Sequence, residues 1–260
     1  LLERIVDFIG PAITSGMMAG VGIMLTRVAV DMARKNKIIG FGSIVISFIT
    51  YMITKDLVYT IAVSVIASSA VAFILKQKSD INISGREKIV FQKPVINIDV
   101  IRGALAMMCL NIGANIAFGK ITGNIANTHV NIDHLSIISS LADLASAMFG
   151  GGPVESVISA TGGAPHPLIS GVLMMILMAI ILFTGLLPKM GKYIPSESIA
   201  GFLFVLGAIV TVPSNAMAAV NSTGGPIIGG ITMTVTAITD PFLGMLAGII
   251  FKVFAGMFGM

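Results

Sequence analysis

Apolar segments near the length a helix needs to cross a bilayer, about 20 residues, recur from one end of this chain to the other. They fall at about 8–30, 38–54, 57–75, 100–119, 135–149, 168–187, 199–212, 227–239 and 242–258. Charged residues make up only 11% of the sequence and hydrophobic residues 55%, where a soluble domain carries roughly 25% charged. That deficit leaves too little polar surface to wrap a globule in water. The expected fold class is therefore an all-α polytopic membrane protein, multi-pass in the cell (plasma) membrane, with the lipid bilayer as its surroundings. A formal net charge of +4 does not point to nucleic acid. The basic residues sit between apolar segments, where topology places them, and no basic stripe with interleaved aromatics is present. The one cysteine, Cys109, lies inside an apolar run, which excludes a disulfide within the chain and a cysteine zinc cluster; it reads as a packed thiol.

Residues 1–75 hold three membrane segments, residues 76–97 form a polar connecting loop, and residues 98–260 form a second membrane section. The first segment contains Gly16-Met-Met-Ala-Gly20, whose small residues four apart permit close helix contact. Arg27 and Asp31, also four apart, predict an ion pair near a helix end. The chain starts Leu-Leu-Glu-Arg, with no methionine and no signal-peptide zones, so a further N-terminal portion is expected upstream.

One stretch departs from the apolar pattern: Phe149-Gly-Gly-Gly-Pro-Val-Glu-Ser-Val-Ile-Ser-Ala-Thr-Gly-Gly-Ala-Pro-His-Pro167. Glycine and proline at this density, with Gly150, Gly151, Gly152 and Pro153 at its head, prevent one continuous helix. Inside a bilayer, broken backbone is tolerated only where protein buries it or where it lines a cavity. The stretch is either a surface loop or a substrate site. Glu155 is the sharpest candidate within it. As a carboxylate between spanning segments it is costly unless paired or hydrated, so it is expected to accept from a solute's N–H groups or to carry a coupling proton, the alternative being a water-facing loop glutamate. Ser156, Ser159 and Thr161 add hydroxyls. His166, between two prolines, either titrates near neutral pH as a gating group or is a structural residue at the start of the next helix.

Asn111 and Asn115 lie four apart and share a helix face. They either bind a solute or bridge to a neighbouring helix. Asp143, within the next segment, either carries a proton or cation or pairs with Arg102 or Lys120. His129, Asp133 and His134 form a polar turn without the same-face spacing of a metal site, so no metal and no cofactor is expected. No nucleophile–base pair or ligand motif lies within the spanning segments, so no enzyme is expected.

Several of these residues carry a family resemblance. Met148-Phe-Gly-Gly-Gly-Pro-Val-Glu155, Ala164-Pro-His-Pro167, Gly185-Leu-Leu-Pro-Lys189 and Pro195-Ser-Glu-Ser-Ile-Ala-Gly-Phe202 resemble the xanthine/uracil/vitamin C permeases, the nucleobase–cation symporters. Ala104-Leu-Ala-Met-Met-Cys-Leu-Asn-Ile-Gly-Ala-Asn115 is similar to that family's eighth helix. The resemblance implies an inverted-repeat transporter, with a broken helix and short strand at the substrate site over 149–167 and a partner half-helix upstream of Leu1. The sequence departs from the family in two places. Leu110-Asn111 stand where a base-contacting carboxylate is common, and the family's carboxylate in the broken helix falls nearer Ser159 than Glu155.

The expected function is thus secondary active transport of a small planar polar solute, a purine or pyrimidine base, coupled to H+ or Na+. The solute would be bound by Glu155, Ser156, Ser159, Asn111 and Asn115, with Glu155, Asp143 and His166 in coupling or gating. The alternatives are an anion carrier of similar architecture and a non-transporting membrane protein. A homodimer is left open.

Overall fold

The computed structural model describes residues 8–75, 97–154, 156, 160–186, 194–222 and 224–258. Among them every regular element is helical and no strand forms; the short strand expected near 149–167 is not found among the described residues of that stretch. The longer helices are α1 (Pro11–Lys35), α2 (Lys37–Thr54), α3 (Leu57–Ile74), α4 (Ile98–Ile125), α5 (Ile132–Met148) and α6 (Pro167–Phe183). After them come the short α7 (Ala200–Phe204), then α8 (Val212–Val220), α9 (Gly225–Ile238) and α10 (Pro241–Phe258). Among the described residues three helical runs, Pro11–Lys35, Lys37–Thr54 and Ser196–Val220, are long and apolar enough to cross a membrane.

The run Ser196–Val220 outlasts the apolar segment expected at 199–212 because Pro213 does not end it. A regular helix would bring the proline ring against the carbonyl four residues back. Here the turns from Val205 to Thr211 widen into a π-helix, and a regular helix resumes at Val212.

The chain divides into two compact units. One comprises Leu1–Val21, Glu87–Ser159 and Thr211–Met260. Its helices meet through small residues. A Cβ on Gly16 would lie 2.6 Å from the Gly229 carbonyl oxygen, and one on Gly20 would lie 2.5 Å from Thr236 Cβ. The Gly16-xxx-Gly20 face thus lets α1 approach α9 closely, as the spacing predicts. Gly244 and Gly248 of α10 likewise leave room for Thr236 and Thr232 of α9. Around these contacts Ile9, Ala12, Ile13 and Ile228 pack with Met245 and Ile249, and Cys109 is fully buried beside Met17 and Met18. Arg102, at the start of α4, holds Asp240 through Nη2 at 2.8 Å and Nε at 3.0 Å. Asp240 also caps α10 by accepting from Leu243 N at 2.8 Å.

The other unit comprises Gly22–Arg86 and Ala160–Val210. Its core is a polar seam. Ser43 Oγ donates to the Ser198 carbonyl at 2.7 Å, lies 2.9 Å from Ser64 Oγ and accepts from Gly201 N at 3.1 Å. Gly201 has no room for a side chain, since a Cβ there would meet the Ser43 carbonyl oxygen at 2.2 Å. Asn36 caps α2 by accepting from Ile39 N, as its place between two helices requires. Asp31 pairs with Arg34 at 3.4 Å, correcting the expected Arg27–Asp31 pair: a spacing of three also puts charges on one helix face. By contrast α6 buries no residue at all.

Candidate functional site

The glycine-rich stretch begins where α5 ends, and its first residues are dictated by that helix end. Gly150 N donates to the Ala147 carbonyl at 3.0 Å and Gly151 N to the Ser146 carbonyl at 2.8 Å. This pairing is a Schellman cap, and it requires the left-handed φ of +77° that Gly150 adopts. Gly151 is held to glycine for a different reason: a Cβ would stand 2.3 Å from Ser146 Oγ. That hydroxyl donates to the Gly152 carbonyl at 2.6 Å. Pro153 follows, with no N–H to satisfy. The next N–H, of Val154, donates to Asp143 Oδ1 at 2.5 Å.

Asp143 is therefore not paired with Arg102, which is taken by Asp240; the side chain of Lys120, the other expected partner, lies outside the described residues. The second oxygen of Asp143 accepts instead from Asn111 Nδ2 at 2.7 Å. One turn along α4, Asn115 is 1% exposed. Its Nδ2 donates to Ser136 Oγ at 3.1 Å and Ser139 Oγ at 3.0 Å, and its Oδ1 accepts from Ser156 Oγ. Ser139 Oγ also lies 3.5 Å from Asn111 Oδ1.

Four of the residues picked from the sequence, Asn111, Asn115, Asp143 and Ser156, thus form one network. It ties α4 to α5 and to the glycine-rich stretch, all within one unit. Through these bonds both asparagines bridge α4 to α5. Glu155 and Ser159 lie outside the described residues; in sequence Glu155 falls between Val154 and Ser156, both of which the network holds. His166 belongs to the other unit. It is exposed and precedes Pro167 at the first turn of α6, without a side-chain cap bond, which fits the helix-start reading. Ser136 and Ser139 were not singled out from the sequence, although a spacing of three on α5 puts them on one face.

The chemistry available is amide and hydroxyl hydrogen bonding around one partly buried carboxylate. Such a set can offer both donors and acceptors to a polar molecule. Comparison with protein-family models, curated proteins and solved structures finds no match to this chain.

Proposed function

We propose that this chain is a multi-pass secondary transporter of the cell membrane that carries a small planar polar solute, with a purine or pyrimidine base as the leading class and H+ or Na+ as the coupling ion. The observation that carries the reading is the convergence of Asn111, Asn115, Asp143 and Ser156 on the glycine-rich break between α5 and α6. Polar groups embedded in apolar helices are costly to keep and mark solute or ion paths by default, and a broken backbone in an apolar setting belongs where it is buried or lines a cavity. The resemblance of 148–155, 164–167 and 195–202 to the xanthine/uracil/vitamin C permeases supports the same class.

The network is self-satisfied as it stands, so a solute must replace bonds already made. Asn111 Nδ2 is a primary-amide donor resting on Asp143 Oδ2. A solute N–H can take over that oxygen, and the released Asn111 donor can then meet an adjacent solute carbonyl. Molecules with N–H and C=O side by side, as on a lactam or imide edge, offer this exchange. An inorganic anion does not, because it would meet the Asp143 carboxylate with like charge. Moving the proton or cation with the solute would use Asp143 or Glu155.

The test is uptake into proteoliposomes and thermal-shift binding for bases, ascorbate and inorganic anions, with Asp143→Asn and Glu155→Gln beside the parent. Bases should be taken up, and Asp143→Asn should weaken their binding about 10–100-fold, the worth of one hydrogen bond to a charged group. Uptake of anions in preference to bases, or unchanged transport in both variants, would overturn the reading.

A further inference from the structure

A second interruption of the backbone lies far from the first in sequence. Phe8 and Ile9 are helical, Gly10 turns to a φ of +86°, and α1 opens at Pro11. Pro11 has no N–H, and the helical ladder resumes with Thr14 N donating to the Gly10 carbonyl at 3.2 Å. The Phe8 and Ile9 carbonyls face a cation instead. Lys252 Nζ stands 2.6 Å from the Phe8 oxygen and 3.2 Å from the Ile9 oxygen. It also lies 5.8 Å from the centroid of the Phe8 ring. Gly10 leaves it room, since a Cβ there would come within 3.3 Å of Nζ.

Lys252 sits between Phe251 and Val253, about 16 Å along α10 at 1.5 Å per residue. Its side chain is exposed and lies about 9 Å from the end of α10, and a charge within an apolar helix is costly without partners. Among the described residues, the partners it has found are neutral backbone oxygens and an aromatic face. Carbonyl oxygens and π-faces recognise monovalent cations and ammonium groups, whereas tight divalent sites draw on carboxylates. We propose that the Gly10–Pro11 break is a monovalent-cation site which the chain fills with its own Lys252 ammonium. The proposal does not rest on the transport reading, since none of Asn111, Asn115, Asp143 or Ser156 takes part.

The experiment is thermal unfolding of the purified full chain, comparing Lys252→Ala, Lys252→Met and Lys252→Arg in choline, sodium, potassium and ethylammonium chloride at one ionic strength. In choline, the Ala and Met variants should melt roughly 6–12 °C below the parent, on the worth of two charge-assisted bonds in a chain this long. Small cations or ethylammonium should restore most of the loss, while the parent and Lys252→Arg should show no preference among the four salts. If Lys252→Met melts with the parent, the lysine stem only packs and the proposal fails. It fails equally if no small cation outperforms choline for the Ala and Met variants. Should neither variant fold in choline, preparing both in ethylammonium should recover folded protein, and no recovery would overturn the site.

Discussion

Removing Asn115 and Ser156 separately and together tests whether the glycine-rich break is docked on α4. Asn115 is 1% exposed and bonds Ser136 at 3.1 Å, Ser139 at 3.0 Å and the Ser156 hydroxyl. Counting each stranded partner at the full desolvation cost of about 1–3 kcal/mol puts Asn115→Ala at roughly 3–9 kcal/mol. That overstates the loss. Ser139 keeps a bond to the Ser136 carbonyl at 3.1 Å, and polar contacts between membrane helices average about 0.6 kcal/mol, reaching about 1.7. Asn115→Ala should therefore cost about 2 kcal/mol and Ser156→Ala about 0.6–1.7. The informative quantity is the coupling in the double-mutant cycle, expected at about 0.6–1.7 kcal/mol. Reversible unfolding in mixed micelles supplies all four free energies. If the double variant loses the sum of the singles to within about 0.5 kcal/mol, the bond does not hold the stretch and the site loses its anchor.

Gly20→Val should destabilise by about 1–3 kcal/mol through overpacking against Thr236. Gly42→Ala, with nothing within 4 Å of the added carbon, should be neutral or slightly stabilising; melting temperatures separate the two. Asp240→Ala should cost about 1 kcal/mol more than Arg102→Ala, because it removes the α10 cap as well as the ion pair. Only the ion-pair share should shrink in high salt. Gly151→Ala should lower the melting temperature by opening the cap on α5, and Ser146→Ala, which vacates the contested space, should partly rescue it.

The helices were legible because their signals are local. Apolar runs bounded by charge or by Gly-Pro place α2 at 38–54 and α10 at 242–258 in the sequence, against Lys37–Thr54 and Pro241–Phe258 in the structure. The helical run continues past the expected 199–212 to Val220, and no sequence signal announces the π-turns that carry it past Pro213. The shared face of Asn111 and Asn115 followed from their spacing alone. The partner of Asp143 did not, because it depends on which way α5 turns in the packed unit. Arg102 is equally out of reach of local reasoning, finding Asp240 across 138 residues. Lys252 left a readable trace, a single charge inside an apolar helix, but its carbonyl partners at Gly10 could not be read from spacing.

The two breaks in this unit follow one physical rule. Interrupting a helix frees carbonyl groups on the side it comes from and N–H groups on the side it leads to, and in an apolar setting neither can turn to water. At Gly10 the freed groups are the Phe8 and Ile9 carbonyls, and the chain meets them with an ammonium from α10. At Gly152–Pro153 the group to be met is the Val154 N–H, in irregular backbone, and the chain meets it with a carboxylate from α5. The sign of each charge matches the polarity of the backbone it serves. Asp143 and Lys252 thus have partners even with no solute or ion bound. A ligand would face different tasks at the two places: at Asp143 it would have to outcompete an amide on the second oxygen, whereas at Gly10 it would have to displace a tethered cation whose local concentration the chain itself keeps high.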